Sequence, residues 1–148
     1  KEKPVMQLKT HTAYNQDFEI SPGEASETVI AKYVFEKDSL LFDMSPHMHL
    51  RGSWFKFEAL FPSGKRETLL SVPRYDFKWQ HNYRLKEPKR MPKGTWILCT
   101  GGFDNSGRNP ANPNPNIPVH WGDQSFEEMF IGFMGVAAIP GEQKVATK

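Results

Sequence analysis

From Phe55 to Phe61 the chain alternates Phe55, Phe57, Ala59 and Phe61 with Lys56, Glu58 and Leu60, then meets Pro62-Ser63-Gly64-Lys65 and a second strand-like run, Glu67 to Val72. A period of two sends every second side chain to one face, so this segment has an apolar side and a mostly polar side only as a β-strand. The Pro/Gly break after it is the kind that folds a strand back on itself, which makes the pair a hairpin. The rest of the chain follows the same grammar. Phe18 to Ile20 stops at Ser21-Pro22-Gly23, Thr28 to Phe35 is β-branched and aromatic, and Leu40 to Met44 leads into a histidine pair. Phe77 to Leu85, Thr95 to Phe103 and Met129 to Ala138 complete the set. No stretch of ten or more residues carries a 3.6-residue apolar period. The expectation is an all-β domain, an antiparallel β-sandwich of jelly-roll type with about eight or nine strands. It is expected to occupy residues 18–140, with 1–17 as a lead-in and 141–148 as a tail.

Composition sets the frame for that domain. At 148 residues, 38% hydrophobic and 13% aromatic, the chain suits one packed domain and is too apolar for disorder. Its 19 basic and 17 acidic residues are dispersed, and Lys86 to Lys93, with Pro88 and Pro92 around Met91, reads as a solvated turn, so nucleic acid is not an expected partner. No apolar run nears the ~18 residues of a spanning helix, and no membrane insertion is expected. The abrupt start at Lys1 suggests that a leader or upstream domain precedes it. A single Cys99 cannot form an internal disulfide, so cysteine pairing leaves cytosol and periplasm open.

Asp104 to Glu127 departs from the strand pattern, interleaving Asn105, Asn109, Asn112, Asn114 and Asn116 with Pro110, Pro113, Pro115 and Pro118. A loop this long inside a compact domain is usually functional or disordered. Proline lowers the entropy lost on ordering and Trp121 offers an anchor, so an ordered loop is expected.

The chemistry-bearing feature is Ser45-Pro46-His47-Met48-His49-Leu50-Arg51-Gly52. On an extended backbone His47 and His49 share a face with Cα atoms roughly 6.6 Å apart, close enough to converge on one ion. Imidazole suits zinc, copper, iron and nickel alike, so the pair by itself names a metal class and no more, and surface decoration of a strand is the competing reading. His11, His81 and His120 are scattered singly and are expected to be surface or hydrogen-bonding residues; His120 lies nearest the downstream loop. No Ser-His-Asp grouping and no Gly-rich phosphate loop before a helix is legible, which removes hydrolase and nucleotide readings.

Downstream, Gly122-Asp123-Gln124-Ser125-Phe126-Glu127-Glu128-Met129 completes a second motif. A strand His-x-His followed by Leu and Gly, and a later Gly-x-x-Ser/Thr-x-Asp/Glu-Glu-Met, together resemble the carboxy-terminal domain of the copper type II, ascorbate-dependent monooxygenases, which include peptidylglycine α-hydroxylating and dopamine β-monooxygenases. The resemblance runs from about Phe18 to Val136 and is closest to bacterial members, through Pro46 to Gly52, Val72 to Phe77 and Phe103 to Ser106. It implies that His47, His49 and Met129 hold the copper at which dioxygen is activated, cycling between Cu(I) and Cu(II). It also implies an oxidoreductase that is periplasmic or secreted, with a small-molecule or peptide substrate and an electron-donor domain or protein as partner. A thioether beside two neutral imidazoles is a donor set that favours Cu(I) over zinc. The competing reading of Met129 is core packing at the head of Met129-Phe130-Ile131-Gly132-Phe133. Met44, Met48 and Met134 are alternative sulfur donors, with Met48 turned away from its flanking histidines by strand alternation.

The departures from that family matter equally. Where the animal peptide hydroxylases carry an Arg, an Asn and a Tyr for the substrate carboxylate, this chain has Ser45, Ile131 and Phe133. None of these supplies a positive charge, so glycine-extended peptides are not expected substrates. Cys99 resembles one half of a family disulfide whose partner position holds Phe130, which makes a buried thiol the expectation. The family's three-histidine electron-entry domain has no counterpart in this sequence. Asp123, Gln124 and Arg51 are candidates either for orienting a ligand imidazole or for stabilising turns, with turns expected. Two functions follow: the copper domain of a monooxygenase, or a noncatalytic copper-binding or assembly module on the same sandwich.

Overall fold

The computed structural model describes residues 6–140. Those residues form ten strands: β1 (Leu8–Tyr14), β2 (Glu19–Ile20), β3 (Glu27–Val34), β4 (Ser39–His47), β5 (Gly52–Leu60), β6 (Arg66–Val72), β7 (Tyr83–Met91), β8 (Trp96–Phe103), β9 (Val119–His120) and β10 (Ile131–Ala138). They contain no helix. Two four-stranded antiparallel sheets, ordered β1-β10-β4-β7 and β3-β8-β5-β6, face each other, and β2 pairs with β9 beside them. With the two-residue strands set aside, the eight long strands in chain order stand 1-8-3-6 in one sheet and 2-7-4-5 in the other. That interleaving of four hairpin-related pairs is the jelly roll, and the all-β sandwich expected from alternation is the fold observed.

The hairpin read first from the sequence is built as expected. Phe61 C=O accepts from Gly64 N–H at 2.9 Å, Lys65 C=O accepts from Phe61 N–H at 2.9 Å, and Gly64 has φ of 84°, which an L side chain rarely adopts. This is a three-residue loop ending in a left-handed glycine, and it sets the β5–β6 register from Leu60↔Arg66 to Phe55↔Val72. Phe55, Phe57 and Ala59 point inward and are buried. On the opposite face Glu58 is also nearly buried, at 6% exposure, because Arg66 donates to both its carboxylate oxygens at 2.8 and 3.1 Å and Lys56 lies 3.0 Å away.

Phe55, Phe57, Ile97, Cys99 and Phe103 of one sheet pack on Leu41, Met44, Met134 and Val136 of the other, with Phe130 between them. The Phe55 and Phe130 rings stack with centroids 4.8 Å apart. Cys99 is free and fully buried, as expected, and burial pushes its thiol up out of reach of ionisation.

Two segments differ from expectation. Leu8–Tyr14, inside the stretch read as a lead-in, is an edge strand paired with β10 from Leu8↔Ala137 to Tyr14↔Ile131. Its sequence shows no alternation because Ala13 is its one buried residue while the large apolar Leu8 and Tyr14 stand on the exposed face. Lys86 to Lys93 is largely strand, not a solvated turn, since β7 runs through Pro88 to Met91. Proline is tolerated there because β7 is an edge and its register against β4 slips between Leu41↔Lys89 and Asp43↔Arg84, leaving Leu85 to Pro88 as a bulge. Conversely, Phe77 to Gln80, read as the start of that strand, forms a turn closed by Trp79 N–H on Asp76 C=O. The 141–148 tail and residues 1–5 lie outside the described residues.

Candidate metal centre

His47 is the last residue of β4 and His49 begins the turn beyond it. Their rings stand 5.3 Å apart between centroids and nearly perpendicular, at 87°. The Nδ1 of His47 is 2.7 Å from Gln80 Oε1, and Gln80 Nε2 donates to Phe77 C=O at 3.0 Å. That second bond fixes the amide so that oxygen faces the imidazole, and an oxygen acceptor requires the hydrogen on Nδ1. The Nδ1 of His49 lies 3.2 Å from the carbonyl of Glu127, which only accepts, so it carries its hydrogen there too. Both rings are thereby held as the tautomer whose Nε2 offers a lone pair, with the backbone of Gln124 a second hydrogen-bonding neighbour of the His49 ring. His49 is buried, and burial lowers its pKa; the backbone carbonyl of Glu127 opposes this and the neighbouring His47 adds to it. A neutral imidazole is the ligand form.

Met129 stands two residues before β10, which pairs with β4 at Ile131↔His47 and Phe133↔Ser45. The ladder ends at Ile131↔His47, and Met129 lies just beyond it, next in sequence to Glu127 and Glu128, both of which bond His49. It is half-buried, whereas Met44, Met48 and Met134 are at most 1% exposed in the core. Burial in the core removes the three alternative sulfur donors. Among the described residues no group of three or more His, Cys, Asp and Glu is placed so as to hold a metal ion.

The turn that carries the histidines is held by residues far away in sequence. Glu128 is fully buried, and its two oxygens accept separately from the backbone N–H of His49 at 2.7 Å and of Arg51 at 2.6 Å. Arg51, also fully buried, donates through Nε to Asn105 Oδ1 at 2.8 Å and through Nη1 to Phe126 C=O at 2.9 Å, with Nη1 4.0 Å from Glu128. Burial raises Glu128 to about 7, while the Arg51 and His49 amides and the Arg51 charge pull it down. Both oxygens already receive N–H groups, so the ionised form is the one this cradle fits, a protonated carboxyl having no acceptor for its O–H. Tyr75 closes the other side: its hydroxyl donates to Met48 C=O at 2.7 Å and accepts from Met48 N–H at 3.0 Å. Gly52 completes the turn, since a Cβ there would sit 2.7 Å from Met48 Cβ and 2.9 Å from the Tyr75 ring.

Arg51 therefore does not act at a surface turn; it ties the histidine turn to the Asn-rich loop. Asn105, fully buried, donates to Ser21 C=O and Ile117 C=O at 3.0 Å each, while Asn109, Asn112 and Asn114 each cap a backbone N–H two residues on. Asn105 is the loop's buried anchor, and Trp121 is half-buried against Tyr14, ring centroids 6.5 Å apart. Asp123 and Gln124 are exposed, and Gln124 N–H caps Glu127 within its own turn. Glu128, Tyr75 and Gln80 were not singled out in the sequence. The signals are the Glu-Glu-Met motif, which contains Glu128, and the Val72 to Phe77 stretch, which contains Tyr75, and neither says what its residue holds.

Ser45, Ile131 and Phe133 share the face of His47, and the Phe133 ring lies 6.1 Å from it. Phe77 packs on His49 at 5.7 Å. The remaining histidines stay apart from the pair: His11 bonds Tyr33, His120 faces Glu19 at 3.7 Å, and His81 packs between Trp79 and Tyr83.

No family model matches the chain, and no curated protein matches it. Among solved structures it is similar to that of infectious bursal disease virus Gx strain, at 10% identity over 95% of this chain with a TM-score of 0.44. The Gt strain structure gives 9% identity over 92% and a TM-score of 0.42. The chain spans about a third of each of those chains, 35% and 33%. At these scores neither likeness informs the reading of the site.

Proposed function

We propose that this chain is a mononuclear copper domain of a copper-dependent monooxygenase, with His47, His49 and Met129 as the metal ligands. The observation that carries the reading is the pair of imidazoles 5.3 Å apart, each anchored through Nδ1; the resemblance of the Glu-Glu-Met motif adds Met129 as the third ligand. Two neutral imidazoles and one soft thioether suit Cu(I) and leave a metal free to change redox state. Copper bound there would supply dioxygen activation for C–H hydroxylation. The chain's own contribution is to orient: Gln80 and the Glu127 carbonyl aim the rings, and Glu128 fixes the turn between them. Ser45, Ile131 and Phe133 give the flank no cation for a substrate carboxylate, which favours substrates other than glycine-extended peptides. A reductant such as ascorbate and an electron-donor domain or protein belong to the same proposal, as does a periplasmic or secreted setting.

The test is Cu(I) titration against a chromophoric chelator for the parent, His47→Ala, His49→Ala and Met129→Ile, followed by oxygen uptake with ascorbate. The expected result is one equivalent of Cu(I) lost in either His variant and weakened in Met129→Ile. Equal binding by parent and His variants would refute the site. Binding without uptake above that of free copper, in the presence of a competent donor, would leave a noncatalytic copper module as the function.

A further inference from the structure

A second region of the molecule has the makings of a binding site. Ser39 and His47 are the two ends of β4, and beside the Ser39 end the edge strands β1 and β3 of the two sheets part around a cleft of about 760 Å³. That volume lies within the ~300–1,000 Å³ typical of small-molecule sites. Its apolar lining comes from Met6, Val34, Val136 and Ala138, with the Tyr33 ring packed edge-on against Phe35. Its charged lining is Lys9, Lys32 and Lys37 against Glu36 alone, and none of the three lysines is ion-paired among the described residues.

The polar centre of the cleft is His11 and Tyr33, one from each sheet, with His11 Nδ1 2.9 Å from the Tyr33 hydroxyl. If the hydroxyl donates to Nδ1, the ring keeps its hydrogen on Nε2; if Nδ1 donates to the hydroxyl, the O–H is left over. In either arrangement the pair retains one unused donor in addition to the bond between them. A donor of that kind, flanked by unpaired ammonium groups above an apolar floor, matches an anionic head on an apolar body.

We propose that this cleft binds a small organic anion, a carboxylate carrying an apolar chain or ring, with Tyr33, His11, Lys9 and Lys37 receiving the carboxylate and Lys32, which alternation turns to the outer face, left at the rim. The site is independent of the histidine pair at the other end of β4 and stands or falls without copper.

Octanoate and octanol are the probes, titrated into the full chain while amide cross-peaks are followed by ¹H–¹⁵N NMR. Octanoate is expected to shift Lys9, His11, Tyr33 and Val136 and to leave His47 and His49 unmoved, while octanol at equal concentration binds at least several-fold more weakly. Removing an exposed lysine typically costs roughly two- to threefold, so Lys9→Gln/Lys37→Gln should weaken octanoate roughly fivefold and the triple variant with Lys32→Gln little further. Tyr33→Phe, which keeps the ring packing, should weaken it roughly fivefold. The spectra report whether each variant is folded. Should the double variant not fold, raising salt on the parent supplies the same reading, with octanoate weakening and octanol unchanged. No shifts, shifts elsewhere, or equal affinity for octanol would overturn the proposal.

Discussion

Replacing Glu128 with Gln tests the cradle beneath the histidine turn. The substitution keeps shape and volume but removes the charge and turns one acceptor into a donor. In the parent, one oxygen accepts from His49 N–H at 2.7 Å and the other from Arg51 N–H at 2.6 Å, with the Arg51 guanidinium 4.0 Å away and both side chains fully buried. An amide can serve only one of those N–H groups; its NH₂ then opposes the other, leaving a buried donor unsatisfied at about 1–3 kcal/mol. Arg51 also loses its counter-charge, and breaking a buried pair from one side costs about 3–5 kcal/mol. The two losses share one carboxylate and do not add, so about 3–5 kcal/mol is expected, a large part of the ~5–15 kcal/mol that stabilises a domain. Urea unfolding followed by tryptophan fluorescence measures it directly. The same variant should weaken Cu(I) binding about 10- to 100-fold, the usual effect of disturbing what orients a metal-ligating histidine. An unfolding free energy within about 1 kcal/mol of the parent, with unchanged copper affinity, would refute the reasoning.

Other expectations follow from particular contacts. Phe57→Ala deletes a fully buried ring at the centre of the sandwich and should cost about 3–5 kcal/mol by the same unfolding assay. Gln80→Leu removes the acceptor that fixes His47 Nδ1, and should weaken Cu(I) binding without moving the urea midpoint, since Gln80 is exposed. Glu58 sits below its usual 4.5 because Arg66 hydrogen-bonds it, with Lys56 assisting. A folded-state value below the unfolded one stabilises the fold above about pH 4.5, and that contribution disappears as pH falls through the lowered value; in Glu58→Gln the decline in stability below about pH 4.5 should flatten. Asn105→Ala releases the Asn-rich loop from Arg51, Ser21 and Ile117, and limited proteolysis should then cut between Asp104 and Glu127 faster than in the parent.

Much of this protein is local and was readable in the chain. Alternation at Phe55 to Phe61, a left-handed glycine at Gly64 and turn residues between short apolar runs specify strands and where they reverse, because both depend on neighbours only a few positions away. The same locality puts His47 and His49 together. What alternation cannot specify is which strand pairs with which, since a face has the same pattern beside any partner. The order β1-β10-β4-β7 was settled by packing, and with it the strand character of Leu8–Tyr14 and of the Pro88 segment, each tolerable only at an edge. The Ile131↔His47 pairing likewise brings the start of β10 to the histidine end of β4, and Glu128 reaches His49 across 79 residues. A buried carboxylate must satisfy its lone pairs wherever donors are found, and the nearest ones here belong to a distant turn that only the folded sandwich brings within 3 Å.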